Sequence, residues 1–312
     1  MLPFLCKRAV TAVFVFLGAT FITYAMMMVA PGDAPLEVAV ARYGEEIRAD
    51  RETIDWIRKK EGLDRPFLFQ YGQWLRHIVA LDFGHSLVEE TPVWPLIKKR
   101  FLRTVELAVW AIVAALSISL PLGVLAGIKR RTWIDSMGVA VSVLGVSMPN
   151  YWFGLLLILW FSVKLQWLPS FGRGDWHHLI LPALTLGTAL TACTTRILRT
   201  AIIEAMQAEF LIALRARGVG KTSALAIHII KNALIPVVTV VGIEFGMILE
   251  GAVMTETVFA WPGLGDLMVS AVSNRDYPLI QGLVLFTAGI FVLINFVVDI
   301  VCLYLDPRIR LQ

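Results

Sequence analysis

Charge is what this chain has least of. Asp, Glu, Lys and Arg make up 17% of its 312 residues, and 57% are hydrophobic. Soluble domains carry about 25% charged residues, so an ordinary water-soluble domain is excluded. Cysteine is scarce as well. Cys6, Cys193 and Cys302 are far apart, which leaves no metal-ligand spacing and no disulfide framework, and they read as packing residues. No His-Glu-x-x-His zinc motif and no Gly-x-Ser-x-Gly elbow occurs, so an enzyme reading has little to stand on, and no cofactor is implied. The net charge of +4 does not argue for nucleic acid, because membrane proteins concentrate Lys and Arg in cytoplasmic loops.

Long apolar runs are what is present. Several windows approach or exceed the ~20 residues that cross a bilayer, and they predict an all-α integral membrane protein with six transmembrane helices. The first span is Val10–Val29, preceded by Lys7 and Arg8. It is longer than the about 7–15-residue core of a secretory signal and is read as retained. Spans two to six are expected at Leu107–Ile128, Ser136–Val163 (broken by Pro149), Leu179–Thr195, Ala233–Val258 and Leu279–Leu305. Three parts follow: residues 1–30 as the first span, 31–103 as a small helical extracytoplasmic insertion, and 104–312 as a five-helix core with a cytoplasmic loop at 200–235.

The long polar region holds twelve basic and twelve acidic residues, and loops of that length translocate largely regardless of charge. Orientation is therefore read from short loops and tails. One side carries Lys7, Arg8, Lys129, Arg130, Arg131, Arg196, Arg199, Arg215, Arg217, Lys221, Lys231, Arg308 and Arg310; the other carries Lys164, Arg173 and Arg275. The excess predicts both termini in the cytoplasm. Lys98-Lys99-Arg100, close to the second span, is the one awkward feature.

Several motifs are weighed against plainer readings. Gly218-Val219-Gly220-Lys221-Thr222 ends like a phosphate loop, but Arg215 stands where the first glycine is needed, and the flanks are helical. Gly263-Leu264-Gly265-Asp266 matches an intramembrane aspartyl-protease signature without a second aspartate at its depth; a turn and helix start is the plainer reading. His177 and His178 with Asp175 read as polar surface rather than a metal site. Glu244, Glu250 and Asp299 lie inside predicted spans, where carboxylates are costly and mark pathways, proton relays or pairs. Six residues turn a helix by about 600°, so Glu244 and Glu250 stand about 120° apart. They are candidate pathway residues, or proton carriers if the chain is a stand-alone proton-coupled carrier.

The stretch Glu204–Val238 is too polar for lipid, yet it lies between two very hydrophobic segments. It reads as a docking helix offered to another protein. Ala213-Leu214-Arg215-Ala216-Arg217-Gly218, followed by His228, Lys231-Asn232-Ala233-Leu234 and Pro236, resembles the cytoplasmic coupling loop of ATP-binding-cassette (ABC) importer permeases of the peptide/nickel family. The likeness continues through Pro31-Gly32-Asp33, Leu81-Asp82-Phe83-Gly84-His85-Ser86, Ser147-Met148-Pro149 and Trp167-Leu168-Pro169. It ends with Glu256 to Gly265, Asn274-Arg275-Asp276-Tyr277-Pro278 and Asp306-Pro307-Arg308. Leu214 stands where the coupling motif usually has a small residue, and Glu244 and Glu250 where an amide and a small residue are expected.

The resemblance implies a type I importer-like permease in a bacterial cytoplasmic membrane. Its partners would be a second, homologous permease subunit, two cytoplasmic ATPase subunits and an extracytoplasmic solute-binding protein, with surrounding lipid and no nucleic acid. The helix around Ala213–Gly218 would dock in the ATPase, and Gly218 would end it. Leu144–Pro182 resembles nickel permeases, and Lys231–Gly265 resembles dipeptide and glutathione permeases. Small peptides are the expected substrate, with nickel or a metal chelate as the alternative.

Overall fold

The computed structural model describes residues 2–29, 33–44, 50–62, 64–80, 82–208 and 229–305. The described residues form helices joined by turns, with one isolated antiparallel bridge, His85 to Pro92. The helices are α1 (Leu2–Val29), α2 (Ala34–Tyr43), α3 (Arg51–Lys60), α4 (Phe67–Val79), α5 (Val93–Ile128), α6 (Trp133–Ser147) and α7 (Asn150–Leu157). They continue with α8 (His177–Leu186), α9 (Thr188–Gln207), α10 (Ile230–Val258), α11 (Leu264–Ser273) and α12 (Tyr277–Leu305). Two compact units result. One comprises Met1–Arg103 and Pro262–Leu293, the other Thr104–Trp261 and Ile294–Gln312.

In the first unit, α3 has the grammar of a water-soluble helix. Asp50 caps it by accepting from the Glu52 and Thr53 amides, and Arg58, Lys59 and Lys60 fill its last turn, where cations suit the helix dipole. Ile54 and Ile57 are buried against Val38 and Ala39 of α2, each stabilising by about 2 kcal/mol. Helix α4 places Phe67, Tyr71 and Trp74 along one stripe, at the spacing that aligns side chains on a helix. Phe67 and Tyr71 pack against Phe21 and Tyr24 of α1 with ring centroids 5.3–5.8 Å apart.

Helix α5 contains the expected second span and extends it at the N-terminal end. It begins at Val93 rather than Leu107 and runs for 36 residues, about 54 Å, well beyond the ~30 Å hydrocarbon core. The extension exists because it has something to pack on. Val93 and Ile97 are fully buried with Leu264 and Leu267 of α11 and Leu279, Ile280 and Leu283 of α12. Of the awkward basic trio, Arg100 pairs with Asp266 at 3.3 Å. Asp266 itself lies in the first turn of α11, after Gly263, the turn-and-helix-start role read for that motif.

In the second unit, two of the expected spans are bent pairs of helices. Helices α6 and α7 meet at 109°, far more than a kink, and α7 runs on into a π-helical turn, Ile158–Lys164. Pro149 explains the break. It opens α7, where its missing N–H costs nothing, and it drives Met148 to φ −88°, ψ 130°, as a proline does to the residue before it. Helices α8 and α9 meet at 56° across Gly187. A Cβ on Gly187 would lie 2.6 Å from the Ala111 carbonyl oxygen of α5, so only glycine allows that approach.

Helices α5 and α12, and the bent pairs α6–α7 and α8–α9, are long and apolar enough to cross a membrane. Shorter described apolar stretches, Val13–Met26 and Pro236–Gly246, lie in α1 and α10. Four threonines of α8 and α9 bond within their own helices, while the buried Thr194 hydroxyl has no partner among the described residues. Thr185, Thr188, Thr191 and Thr195 each donate to the carbonyl four residues back, at 2.7–2.8 Å, which satisfies hydroxyls that no water reaches.

Candidate functional site

The expected coupling residues Ala213, Leu214, Arg215, Ala216, Arg217 and Gly218 lie outside the described residues. The two helices that bracket them are described, and their ends form a packed platform. Leu198 and Ile202 of α9 are buried with Ile229, Ala233 and Val237 at the start of α10, and Leu116, Leu120, Val124 and Ile128 of α5 close over them. Small residues allow this closeness. A Cβ on Gly127 would lie 2.8 Å from Ile202, and one on Gly123 3.1 Å from Leu198. In lipid, helix association rests on such contacts rather than on expulsion of water.

Helix α6 joins the same platform. A Cβ on Gly138 would lie 2.9 Å from Ala126, and one on Gly145 2.8 Å from Ala192. An ion pair then fixes its first turn. The Arg199 guanidinium donates through Nε to Asp135 Oδ1 at 2.5 Å and through Nη2 to Oδ2 at 3.1 Å. The same carboxylate accepts the Arg131 amide at 2.8 Å, and Arg131 takes φ +63°. A two-pronged guanidinium–carboxylate contact sets orientation as well as distance. It ties the α5–α6 turn to α9, the helix that leads into residues 209–228. Arg131 and Arg199 thus do more than set topology, and nothing in the sequence around Asp135 marks it as their partner.

At the other end of this unit, Thr104 donates to Glu256 Oε1 at 2.6 Å, and both residues are fully buried. Arg173 pairs with Glu106 at 3.0 Å and lies over the Trp261 ring. The Gly172 amide donates to the Phe259 carbonyl at 2.8 Å, and Phe259 and Trp261 are each 1% exposed. The Glu256-to-Trp261 motif is thus the lock between α10 and the segment that follows α7. Asp175 accepts from both His177 and His178, at 2.7 and 2.9 Å, which holds its carboxyl below the usual carboxylate range. These three stay an exposed polar turn, and no group of three or more metal-ligating side chains occurs among the described residues.

Of the two candidate pathway residues, Glu244 is half-buried on α10. Glu250 follows on the same helix, and its side chain lies outside the described residues.

In the first unit, two motifs quoted separately from the sequence meet at one carboxylate. Asp276, 1% exposed, accepts from the Ser86 hydroxyl, from the Leu87 amide at 3.0 Å and from the Leu279 amide at 3.4 Å. It therefore anchors the 82–92 turn and starts α12 together.

Comparison with known proteins identifies this architecture. The family described as "Binding-protein-dependent transport system inner membrane component" matches residues 119–311, and the N-terminal part of such membrane components matches residues 1–108. The chain belongs to this family. The permease is 37% identical over 310 residues to the glutathione transport system permease protein GsiC of Salmonella paratyphi A and, equally, of Escherichia coli K12, covering 99% of each chain. Among solved structures, a chain of the inward-facing MetNI methionine ABC transporter matches with a TM-score of 0.56 at 18% identity, over 68% of this chain and 96% of its own. A chain of an amino acid ABC transporter matches with a TM-score of 0.53 at 16% identity, over 66% and 92%. These likenesses show the ABC importer permease fold. The protein is the membrane permease subunit of an ABC importer, and its family implies ATPase and solute-binding partners.

Proposed function

We propose that this permease carries small peptides into the cell, with both of its termini in the cytoplasm. In this reading, α1, α5, the bent pairs α6–α7 and α8–α9, α10 and α12 are the six spans, and residues 31–103 stand outside as a helical insertion. The observation that carries the peptide assignment is end-to-end likeness to a permease named for glutathione, itself a tripeptide, at 37% identity over 99% of both chains. Orientation follows from the basic residues of the short loops, Lys129, Arg130 and Arg131 among them.

The partners are a second, homologous permease, two ATPase subunits and a solute-binding protein. Ala213–Gly218 docks in the ATPase. Closure of the ATPases pushes on α9 and α10, whose ends bracket that segment, and the Asp135–Arg199 pair passes the movement to α6. One of Glu244 and Glu250, which stand about 120° apart on the helix, lines the pathway between the two permeases. Glu244 is only half-buried within this chain, as a residue does that meets another subunit or a solvated path.

The test is reconstitution of the co-purified importer in liposomes with its binding protein, comparing a peptide mixture with chelated nickel. Peptide should stimulate ATP hydrolysis. Stimulation by nickel alone would move the substrate and keep the mechanism. Arg215→Glu, and a bulky replacement of Gly218, should separate ATP hydrolysis from transport while the protein stays in the membrane. Unchanged transport in both would overturn the docking role. Uptake by the isolated chain driven by a pH gradient would replace the reading with a proton-coupled carrier.

A further inference from the structure

The second unit carries a groove of about 520 Å³ between α6 and α9, within the size range of small-molecule sites. Its two walls differ in kind. Val139, Val143 and Val146 line it from α6, spaced along one stripe of that helix, and all three are exposed. Arg196 and Arg199 line it from α9. The helices run antiparallel, since Asp135 meets Arg199 while a Cβ on Gly145 would touch Ala192. Arg196 therefore stands about 4.5 Å further from the α5–α6 turn than Arg199 does. A Cβ on Gly138 would lie 3.9 Å from Thr195, which puts Arg196 where the valine stripe begins.

The charges do not cancel. Asp135 spends its carboxylate on Arg199 Nε and Nη2 and on the Arg131 amide. Among the described residues no carboxylate lines the groove, and the exposed Arg196 makes no ion pair. A guanidinium beside an apolar stripe calls for an anion or for water. Water satisfies Arg196 if the side chain snorkels, but a water-filled groove would wet three valines. A soluble anion would answer the arginines and leave the same valines bare. An anionic phospholipid answers both walls. Its phosphate matches guanidinium geometry, and its acyl chain is the solvent that exposed valines suit. Basic pockets between membrane helices on the cytoplasmic side take such headgroups.

We propose that the α6–α9 groove binds one anionic phospholipid. Arg196 and Nη1 of Arg199 hold the phosphate, and an acyl chain lies along Val139, Val143 and Val146. The bound lipid bridges α6 to α9 beside the Asp135–Arg199 pair that already ties them. Only the choice of leaflet, the cytoplasmic one, rests on the proposed orientation of the chain; binding in detergent does not depend on it.

The test is native mass spectrometry of the importer, co-purified with its partner subunits and delipidated in a neutral detergent. It is titrated with dioleoyl phosphatidylglycerol or with dioleoyl phosphatidylcholine. Phosphatidylglycerol should be retained about fivefold more strongly or better. Arg196→Gln should lower its retention about fivefold and leave phosphatidylcholine unchanged. Lys129→Gln, in the α5–α6 turn but outside the groove, should change neither. Val143→Phe fills the groove from the other wall and should also lower phosphatidylglycerol retention; it decides if thermal unfolding shows that Arg196→Gln does not fold. Equal retention of the two lipids would overturn the proposal and leave the groove to a partner subunit or to water. Equal losses in Arg196→Gln and Lys129→Gln would overturn it too, as diffuse attraction to a basic face. Displacement of phosphatidylglycerol by an equal concentration of glycerol-1-phosphate would overturn the lipid and make this a site for a soluble anion.

Discussion

In the second unit, α5, α6, α9 and α10 come together where side chains are missing; in the first, α1 and α4 come together where side chains are largest. Gly123, Gly127, Gly138 and Gly145 bring backbones against Leu198, Ile202, Ala126 and Ala192, whereas Phe21, Tyr24, Phe67 and Tyr71 fill the space between α1 and α4 with rings. The polar groups differ in the same sense. Thr185 of α8 and Thr195 of α9 bond within their own helices, while in the first unit Asp276 and Arg42 reach across to other segments. The proposed placement of residues 31–103 outside the membrane accounts for part of the contrast. Lipid tails are as apolar as Leu, so helices in a bilayer gain by close approach. Helices that face water, as α3 and α4 do in that reading, gain by burying large rings and by capping.

The comparison breaks most readily at Gly187. Gly187→Val would drive its side chain into the Ala111 carbonyl, 2.6 Å from where a Cβ would sit, and backbone cannot yield as a side-chain end can. We expect a loss of about 3 kcal/mol or more, seen as failure to purify as a folded species or as a much lower unfolding midpoint in detergent. Gly72→Val in α4, with no atom within 4 Å of its Cβ position, should cost little by the same assay. Similar losses at both sites would defeat the contrast.

Asp276→Ala tests the first unit by its own rules. It strands the Leu87 amide and the Ser86 hydroxyl and removes the Leu279 contact, so about 3 kcal/mol is expected. Limited proteolysis should find the 82–92 turn newly accessible. Next in size is the Asp135–Arg199 pair, partly shielded and bidentate. A double-mutant cycle of Asp135→Asn and Arg199→Ala should return a coupling of about 2 kcal/mol. ATP hydrolysis should also become less dependent on solute in either single variant, which a merely structural pair would not cause.

The order of helices and the break points were legible because proline and glycine act locally. Pro149 blocks α-helix in the residue before it whatever surrounds it, so the broken third span could be read from one residue, though not its 109° angle, which packing sets. The second break, at Gly187, was not legible; its cause is the Ala111 carbonyl, 76 residues earlier in the chain. The N-terminal extension of α5 before Leu107 was not legible for a like reason. Lys98-Lys99-Arg100 looks like a boundary until Leu264 and Leu283 are seen to cover Val93 and Ile97. Among candidate site residues, Glu244 and Glu250 were found by a rule about cost, a charge within an apolar run. Asp135 escaped because it is not unusual for its position; only Arg199, its partner in space, distinguishes it.

The smallest effect expected sharpens the contrast at a single helix end. Asp50 caps α3 through the Glu52 and Thr53 amides, and its bonds to Thr53, side chain first and then backbone, hold its carboxyl below the ordinary value. A depressed folded value means that the cap contributes above the unfolded pKa of about 3.9 and is lost as pH falls through the folded one. Amide exchange at Glu52 and Thr53 should therefore speed up, relative to the rest of α3, as pH drops below about 4, and Asp50→Asn should flatten that dependence. Helix α9 has no side-chain cap at its first turn, which starts at the buried Gly187. Its exchange should show no such acid step, and one appearing there would mean that water reaches a helix end which packing is taken to seal.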